Sequence, residues 1–368
     1  MSSSLSQRNS LHIDWFLILL VGTICAVGLI NLRSAAEADG LQHHVSQVLW
    51  VILGGTAAGL LAAQDYRNVE RAAYLLLAGA VFLLILVPLI GDTNNTTAQR
   101  WIDLGVFQLQ PSEPAKLAVI VATARYFHEV ESPNAHGIRQ MLPPILMVAV
   151  PWTLVLIQPD LGTATAILLI FGTMCLFERI KASTITAFAA AGVAALPVMW
   201  FLVMHDYQKE RVLSFLNPDE DVQGDAWQVS QSRIAIGSGR LLGKGYLQGT
   251  QVQNGFVPEH ENDFVFANHG EQFGFVGGVA LIVLYAVLIF WALRIARYGR
   301  DRFAVLCAVG VSAFLFWHVV VNLGMVMGVL PVVGIWLPFC SYGGSAMMTS
   351  MMLVGILLSI SLRRQVFA

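Results

Sequence analysis

Charged side chains are scarce: Asp, Glu, Lys and Arg make up 12% of the 368 residues, about half of what an ordinary soluble domain carries. That scarcity excludes a soluble globular protein. The charges that remain nearly cancel, with a formal net charge of −2, so no basic surface is available for a nucleic acid or another polyanion. Cysteine is equally sparse. Cys25, Cys175, Cys307 and Cys340 all sit in apolar stretches without CxxC spacing, which excludes a disulfide framework and a cysteine zinc site and leaves small buried residues. There is no low-complexity tract, no soluble domain and no internal repeat of the kind many secondary transporters show.

What is abundant is apolar sequence, at 56% of residues with a mean hydropathy of +0.67. Stretches of about 20 mostly apolar residues, the length needed to cross a bilayer, recur about ten times. They cover 13–32, 45–63, 72–90, 114–127, 141–158, 162–177, 185–204, 273–295, 303–323 and 340–361. The expected fold is an all-α polytopic membrane protein forming a single integral domain over 1–368. The first stretch has full length, is followed by Asn31, Leu32 and Arg33, and lacks a small-residue cleavage pattern, so it reads as a retained anchor.

Orientation follows from the basic residues. If the N-terminus is cytoplasmic, the inner ends collect Arg8, Arg67, Arg71, Arg125, Arg139, Arg179, Lys181, Arg294, Arg297, Arg300, Arg302, Arg363 and Arg364, whereas the short outer loops hold only Arg33 and Arg100. Both termini are therefore expected inside. Two outer segments are large enough to carry a site, at 91–113 and at 205–272, the latter a long loop between the seventh and eighth spans.

In the first, RWIDLGVFQLQ at 100–110 mixes apolar residues with Arg100 and Asp103, as an element at the membrane interface would. Ser112 is the expected N-cap of the next helix, with Pro114 tolerated in its first turn. Glu113 and Lys116, three apart, share a face of that helix. Two readings stand: a buried ion pair that locks helices together, or a cavity-facing ammonium that Glu113 orients toward an anionic substrate group. Arg100 serves either the same anion or a lipid headgroup.

Asp160, between two apolar helices, reads as an N-cap, or as a carboxylate ligand for a divalent cation such as Mg or Mn. In the long loop, 227–238 has helical periodicity. Gly237, Gly239, Gly243, Gly245 and Gly249 then allow tight turns or close approach of the backbone to a ligand. Their spacing fits neither a P-loop nor a dinucleotide fingerprint, although backbone amides there could cradle a diphosphate.

The densest chemistry lies at 256–275, FVPEHENDFVFANHGEQFGF, where Glu259, His260, Glu261, Asp263, His269 and Glu271 adjoin a membrane span. Ionisable groups are costly near hydrocarbon and mark function when several gather. His260, Asp263 and Glu259 raise the question of zinc, but HExxH is absent and no cysteine is near. Asp263, beside Phe264, Val265 and Phe266, is the better general base, because partial desolvation raises a carboxyl toward neutral pH. The plain alternative is a solvated loop carboxylate. Near the end, Asn322, Pro331 and the run Ser341, Tyr342, Gly343 and Gly344 imply irregular backbone at membrane depth, expected to face the same interior as Lys116. His318 reads as a satisfied core residue.

Taken in order, RWIDLGVFQLQPSEPAK, QPDLGTA, GSGRLLGKGYLQGTQ, the 256–275 segment, NLGMVMGVLP and LPFCSYGGS resemble the motif set of the SEDS family, for shape, elongation, division and sporulation. The resemblance runs from His12 to the last span. Ile13-Asp14-Trp15, Gly243-Lys244-Gly245 and Gly249-Thr250-Gln251 are similar to the RodA rather than the FtsW branch. It implies a peptidoglycan glycosyltransferase of the bacterial cytoplasmic (inner) membrane, polymerising lipid II on the outer side during elongation and rod-shape maintenance. It further implies a class B penicillin-binding protein as transpeptidase partner, other elongation-complex proteins, membrane lipids, and no nucleic acid or organic cofactor. Asp263 matches the family's catalytic position, and Lys116 and Glu113 match a functional pair. With Arg100, Glu259, His260, Ser341, Tyr342, Gly343 and Gly344 they are the expected substrate contacts; Asp160 or Asp263 would take a metal. Departures are Asn262 for Thr, Asn268 and His269 for apolar residues, Gln272 for Glu, and Thr97-Ala98 where glycine is frequent. A flippase for a lipid-linked precursor and a non-catalytic scaffold are the rival readings. A flippase would present its site to both faces in turn, whereas the carboxylates here gather on one.

Overall fold

The computed structural model describes residues 13–39, 43–91, 100–103, 105, 107–130, 135–204, 206–218, 224–257 and 259–363. Arg8, His12, Thr97, Ala98, Pro258 and Arg364, which appear above, lie outside the described residues.

Ten apolar stretches become ten helices. In chain order these are α1 (Trp15–Asp39), α2 (His43–Ala63), α3 (Tyr66–Ile90), α4 (Ser112–Glu129), α5 (Ile138–Ile157), α6 (Leu161–Leu176) and α7 (Ala182–Val198). Three shorter helices follow, α8 (Asp206–Leu216), α9 (Asp225–Ser238) and the single turn α10 (Thr250–Gln253), and then α11 (Val265–Arg297), α12 (Arg302–Val326) and α13 (Gly344–Leu362). Among the described residues eight helices are long and apolar enough to cross a membrane. The two expected spans outside that set are α6, 16 residues long, and α4. Every residue of α4 from Ala115 to Ala124 is buried, so this helix is packed in protein, among α3, α5, α6, α12 and α13. It is there that Lys116 is affordable. Polar groups within a bundle are tolerated where partners, not lipid tails, surround them.

The long segment before α11 is more structured than a loop. Besides α8, α9 and α10, the residues from Val265 onward already belong to α11, which breaks at Gly274 (φ 65°, ψ −162°). A break in a membrane helix strands backbone groups, and each must find a partner. The glycine-rich segment supplies them. Lys244 N and Gly245 N donate to Glu271 O (3.0 Å) and Gln272 O (3.1 Å), while Phe275 N and Val276 N donate to Arg240 O (2.8 Å) and Leu241 O (3.1 Å). A Cβ on Gly239 would lie 2.1 Å from Gly270 O, and one on Gly243, itself at φ +83°, would lie 2.0 Å from Gln272 O. The expected close approach is therefore to α11, not to a ligand, and these amides are already used.

Glu271 fixes the same join. Completely enclosed, it accepts from Lys244 Nζ (2.6 Å), Gln251 N (2.9 Å) and Val252 N (3.2 Å). Glu271→Ala leaves two enclosed amides and the partly exposed Lys244 ammonium without their acceptor, so a loss of about 1–3 kcal/mol is expected. A thermal melt of the detergent-solubilised variant within a degree or two of wild type would contradict this role.

One expected cap is corrected. Ser112 is the first helical residue, and Pro111 (φ −63°, ψ −22°) flanks it with no side-chain cap. The proline already holds helical dihedrals, so Glu113 N reaches Gln110 O (3.1 Å) without help from the hydroxyl. Asp160 does cap α6, accepting from Thr163 N at 3.0 Å.

Candidate active site

The site gathers at the end of the bundle where α3 leads to α4, α5 to α6 and α12 to α13, opposite the end carrying Arg67, Arg125 and Arg302. Its floor is the irregular run 331–341. Asn322 Nδ2 donates to both Asp263 O (2.8 Å) and Ile335 O (2.7 Å), tying α12 to the segment ahead of α11 and to the floor. Ser341 Oγ accepts from Leu337 N (2.8 Å) and donates to Asn262 O (2.6 Å), and Tyr342 N donates to Glu261 O (2.9 Å). Three of these bonds, to Glu261 O, Asn262 O and Asp263 O, fix the backbone of 261–263 before α11 begins.

Asp263 is half-buried just ahead of α11. Burial, then the neighbouring Glu259 carboxylate, push its carboxyl up to about 7; Arg211 opposes them, Asp160 adds to them, and Arg100 opposes them again. Such a carboxyl is poised to accept a proton near neutral pH. Arg211, on α8, was not assigned from the sequence. It pairs with Asp225 Oδ2 at 3.1 Å, and a Cβ on Gly334 would sit 3.4 Å from Asp263 Oδ2 and 4.0 Å from Arg211 Nη1. The carboxylate and the guanidinium thus both face the open side of a glycine at φ +71°.

The other expected residues divide into three places. Arg100 faces the carbonyls of Gln158 and Pro159. Asp160 also accepts from Gln110 Nε2 at 3.3 Å, and a Cβ on Gly162 would lie 2.2 Å from Val333 O, so the start of α6 abuts the floor. Glu259 is exposed, at φ +51°, and accepts from Asn262 Nδ2 (2.7 Å). His260 is buried, its Nδ1 2.8 Å from Val257 O.

Lys116 and Glu113 form a second, enclosed cluster. Lys116 Nζ donates to Glu113 Oε1 (2.8 Å) and to His318 Nε2 (3.0 Å), and Trp336 Nε1 donates to the same Glu113 oxygen (3.0 Å). The ammonium lies 5.0 Å from the Trp336 ring and 5.5 Å from that of Phe314. Lys116 is 1% exposed and Glu113 0%. His318 is therefore the acceptor that completes the lysine, not merely a core residue, and Trp336 carries the expected link from the 331–341 run to Lys116. Tyr342, Gly343 and Gly344 turn elsewhere, toward α2: Tyr342 stacks on His43, Gly343 N donates to Gln47 Oε1 (3.2 Å), and a Cβ on Gly344 would meet Trp50 at 2.4 Å.

Among the described residues no three His, Cys, Asp or Glu side chains converge to hold a metal ion. The profile of the FtsW, RodA and SpoVE cell cycle proteins matches residues 9–366. The chain belongs to this family. It is 37% identical to the peptidoglycan glycosyltransferase MrdB of Escherichia coli K12, over 98% of this chain and 96% of that one. A chain from a peptidoglycan synthase complex, solved for its coordination of polymerization and crosslinking, matches with a TM-score of 0.80 at 30% identity, covering 95% of this chain and 97% of its own. The RodA protein of Thermus thermophilus matches with a TM-score of 0.72 at 28% identity, covering 97% and 99%. For a FtsW, RodA and SpoVE family member, the residues that the sequence alone did not connect are Arg211, Gly334 and Trp336. Arg211 sits in a charged run, YQKER at 207–211, that looks like ordinary loop polarity.

Proposed function

We propose that this multi-pass membrane protein is a peptidoglycan glycosyltransferase that polymerises lipid II, with Asp263 as general base. The observation that carries this reading is a carboxyl raised to about 7, its backbone held by Asn322 and the floor. Asp263 takes the proton of the acceptor sugar's 4-hydroxyl as that oxygen bonds to the anomeric carbon of the growing strand. The bond from that carbon to the lipid diphosphate breaks, and the diphosphate leaves with the electron pair. Inversion at the anomeric carbon follows from the single displacement.

The leaving diphosphate needs cations more than it needs an acid. Arg100 and Arg211 are the guanidinium groups nearest Asp263 in effect. A Mg or Mn ion would fit Asp263 and Asp160 only by taking its other ligands from phosphate and water, the usual pattern for Mg; it would neutralise diphosphate charge. Lys116, shut behind Trp336, supports the floor. The segment 205–272 lies outside the cytoplasmic membrane, with both termini cytoplasmic, and a class B penicillin-binding protein supplies transpeptidation.

Purified lipid II, incubated with the solubilised protein, its transpeptidase and divalent ions, should yield long glycan strands. No polymer under those conditions, but headgroup movement between leaflets of a vesicle, would replace the enzyme by a flippase.

A further inference from the structure

Beside Asp263 a groove of about 480 Å³ opens between α8, α9 and the segment 328–332, within the range of about 300–1,000 Å³ common for ligand sites. We infer that this groove is a subsite for the glycan strand, binding sugar rings on Trp227 and the carboxylates of the strand's stem peptides on Arg233; the inference rests on the glycosyltransferase reading above.

Position is the first argument. Arg211 lines the groove and, like the Asp263 carboxylate, faces the open side of Gly334, so a saccharide lying in the groove can run on toward the general base. Lining is the second. Trp227, half-buried, offers the flat apolar face that sugar C–H groups pack against, and Ser214 and Ser230 offer hydroxyl partners. The acidic lining residue, Asp225, is already paired with Arg211. Arg233 is exposed and has no acidic side chain within ion-pair distance among the described residues. A fork of donors beside an aromatic plane suits a sugar whose peptide substituent ends in free carboxylates.

A diphosphate is the rival anion. Its polyprenyl tail must stay in the bilayer, however, whereas the groove is built on helices outside the spans. Gly328 shapes the wall: at φ +72°, its Cβ would lie 2.9 Å from Val229 and 3.2 Å from Arg233 Cδ, so a side chain there would displace the arginine.

The test is binding of uncrosslinked glycan fragments, released by a muramidase, to the full-length solubilised protein. Wild type is compared with Trp227→Ala, Trp227→Phe and Arg233→Gln. Loss of an aromatic or cationic anchor is expected to weaken binding about tenfold, with Trp227→Phe restoring most of it and inorganic diphosphate failing to compete. In polymerisation assays Trp227→Ala and Arg233→Gln should yield shorter strands. Fragments that bind all four proteins alike, that bind none of them, or that inorganic diphosphate displaces, overturn the groove. Arg233 is exposed, so Arg233→Gln keeps the test valid should Trp227→Ala misfold. Fragment binding without any polymer from wild type would instead overturn the glycosyltransferase reading and leave the groove standing.

Discussion

Asp263→Ala is expected to reduce lipid II polymerisation at least about 100-fold while leaving the bundle folded, because a positioned base contributes about 10²–10⁴-fold. A well-folded variant that keeps a tenth of the wild-type rate would remove Asp263 from the mechanism. The raised carboxyl adds two signed expectations. Activity needs the ionised form, so the wild-type rate should fall as pH drops below about 7, approaching tenfold per unit. Stability runs the other way. The folded-state value, about 7, lies above the ordinary 3.8, so the folded protein holds a proton that the unfolded chain releases as pH rises from about 4 to about 7. The stability tied to that proton is complete below this window and gone above it. Asp263→Asn, which carries no charge to bury, should therefore melt higher than wild type at pH 8, by up to about 4 kcal/mol, and show little difference near pH 4. Equal melting at pH 8 would mean that the carboxylate is well solvated.

Lys116→Met carries the other large effect. It leaves Glu113, 0% exposed, as an uncompensated charge with one oxygen, Oε2, that has no hydrogen-bond partner among the described residues. Removing one member of a buried pair costs about 3–5 kcal/mol. The double variant Lys116→Met, Glu113→Gln should recover most of that loss, since Gln can still accept from Trp336 while carrying no charge. Comparison of the two by thermal melting in detergent decides the point. If Lys116→Met melts like wild type and loses only substrate affinity, the lysine faces substrate, and the enclosed cluster described above is not its working state.

Much of this architecture could be read from residue order. Apolar runs separated by short polar breaks place ten helices, because a backbone in lipid has few options besides a helix. Asp160 as an α6 cap and Asp263 as a partly desolvated carboxyl were both readable from immediate neighbours. What resisted was anything joining distant positions. Lys116 and His318 are 202 residues apart, and nothing local distinguishes an arginine in YQKER as one whose charge acts on Asp263. Ser112 failed as a cap for the opposite reason: a local preference was overruled by the proline before it. The glycine cluster was recognised as a place of close approach, but its target, the broken backbone of α11, is visible only once Gly274 is seen to leave the helical region.

That break has a consequence for how the protein tolerates change. The hydrogen bonds of α11 on either side of Gly274 are completed from residues 240–245, so the orientation of the turn that carries Asp263 is encoded partly in a stretch some distance from it in sequence. In a saturation screen for growth, Gly239 and Gly243 should rank with Asp263 among the least replaceable positions, while the exposed Leu241 and Leu242 between them accept many substitutions. Inherited loss of function would then trace the shape of a splint rather than the outline of a pocket.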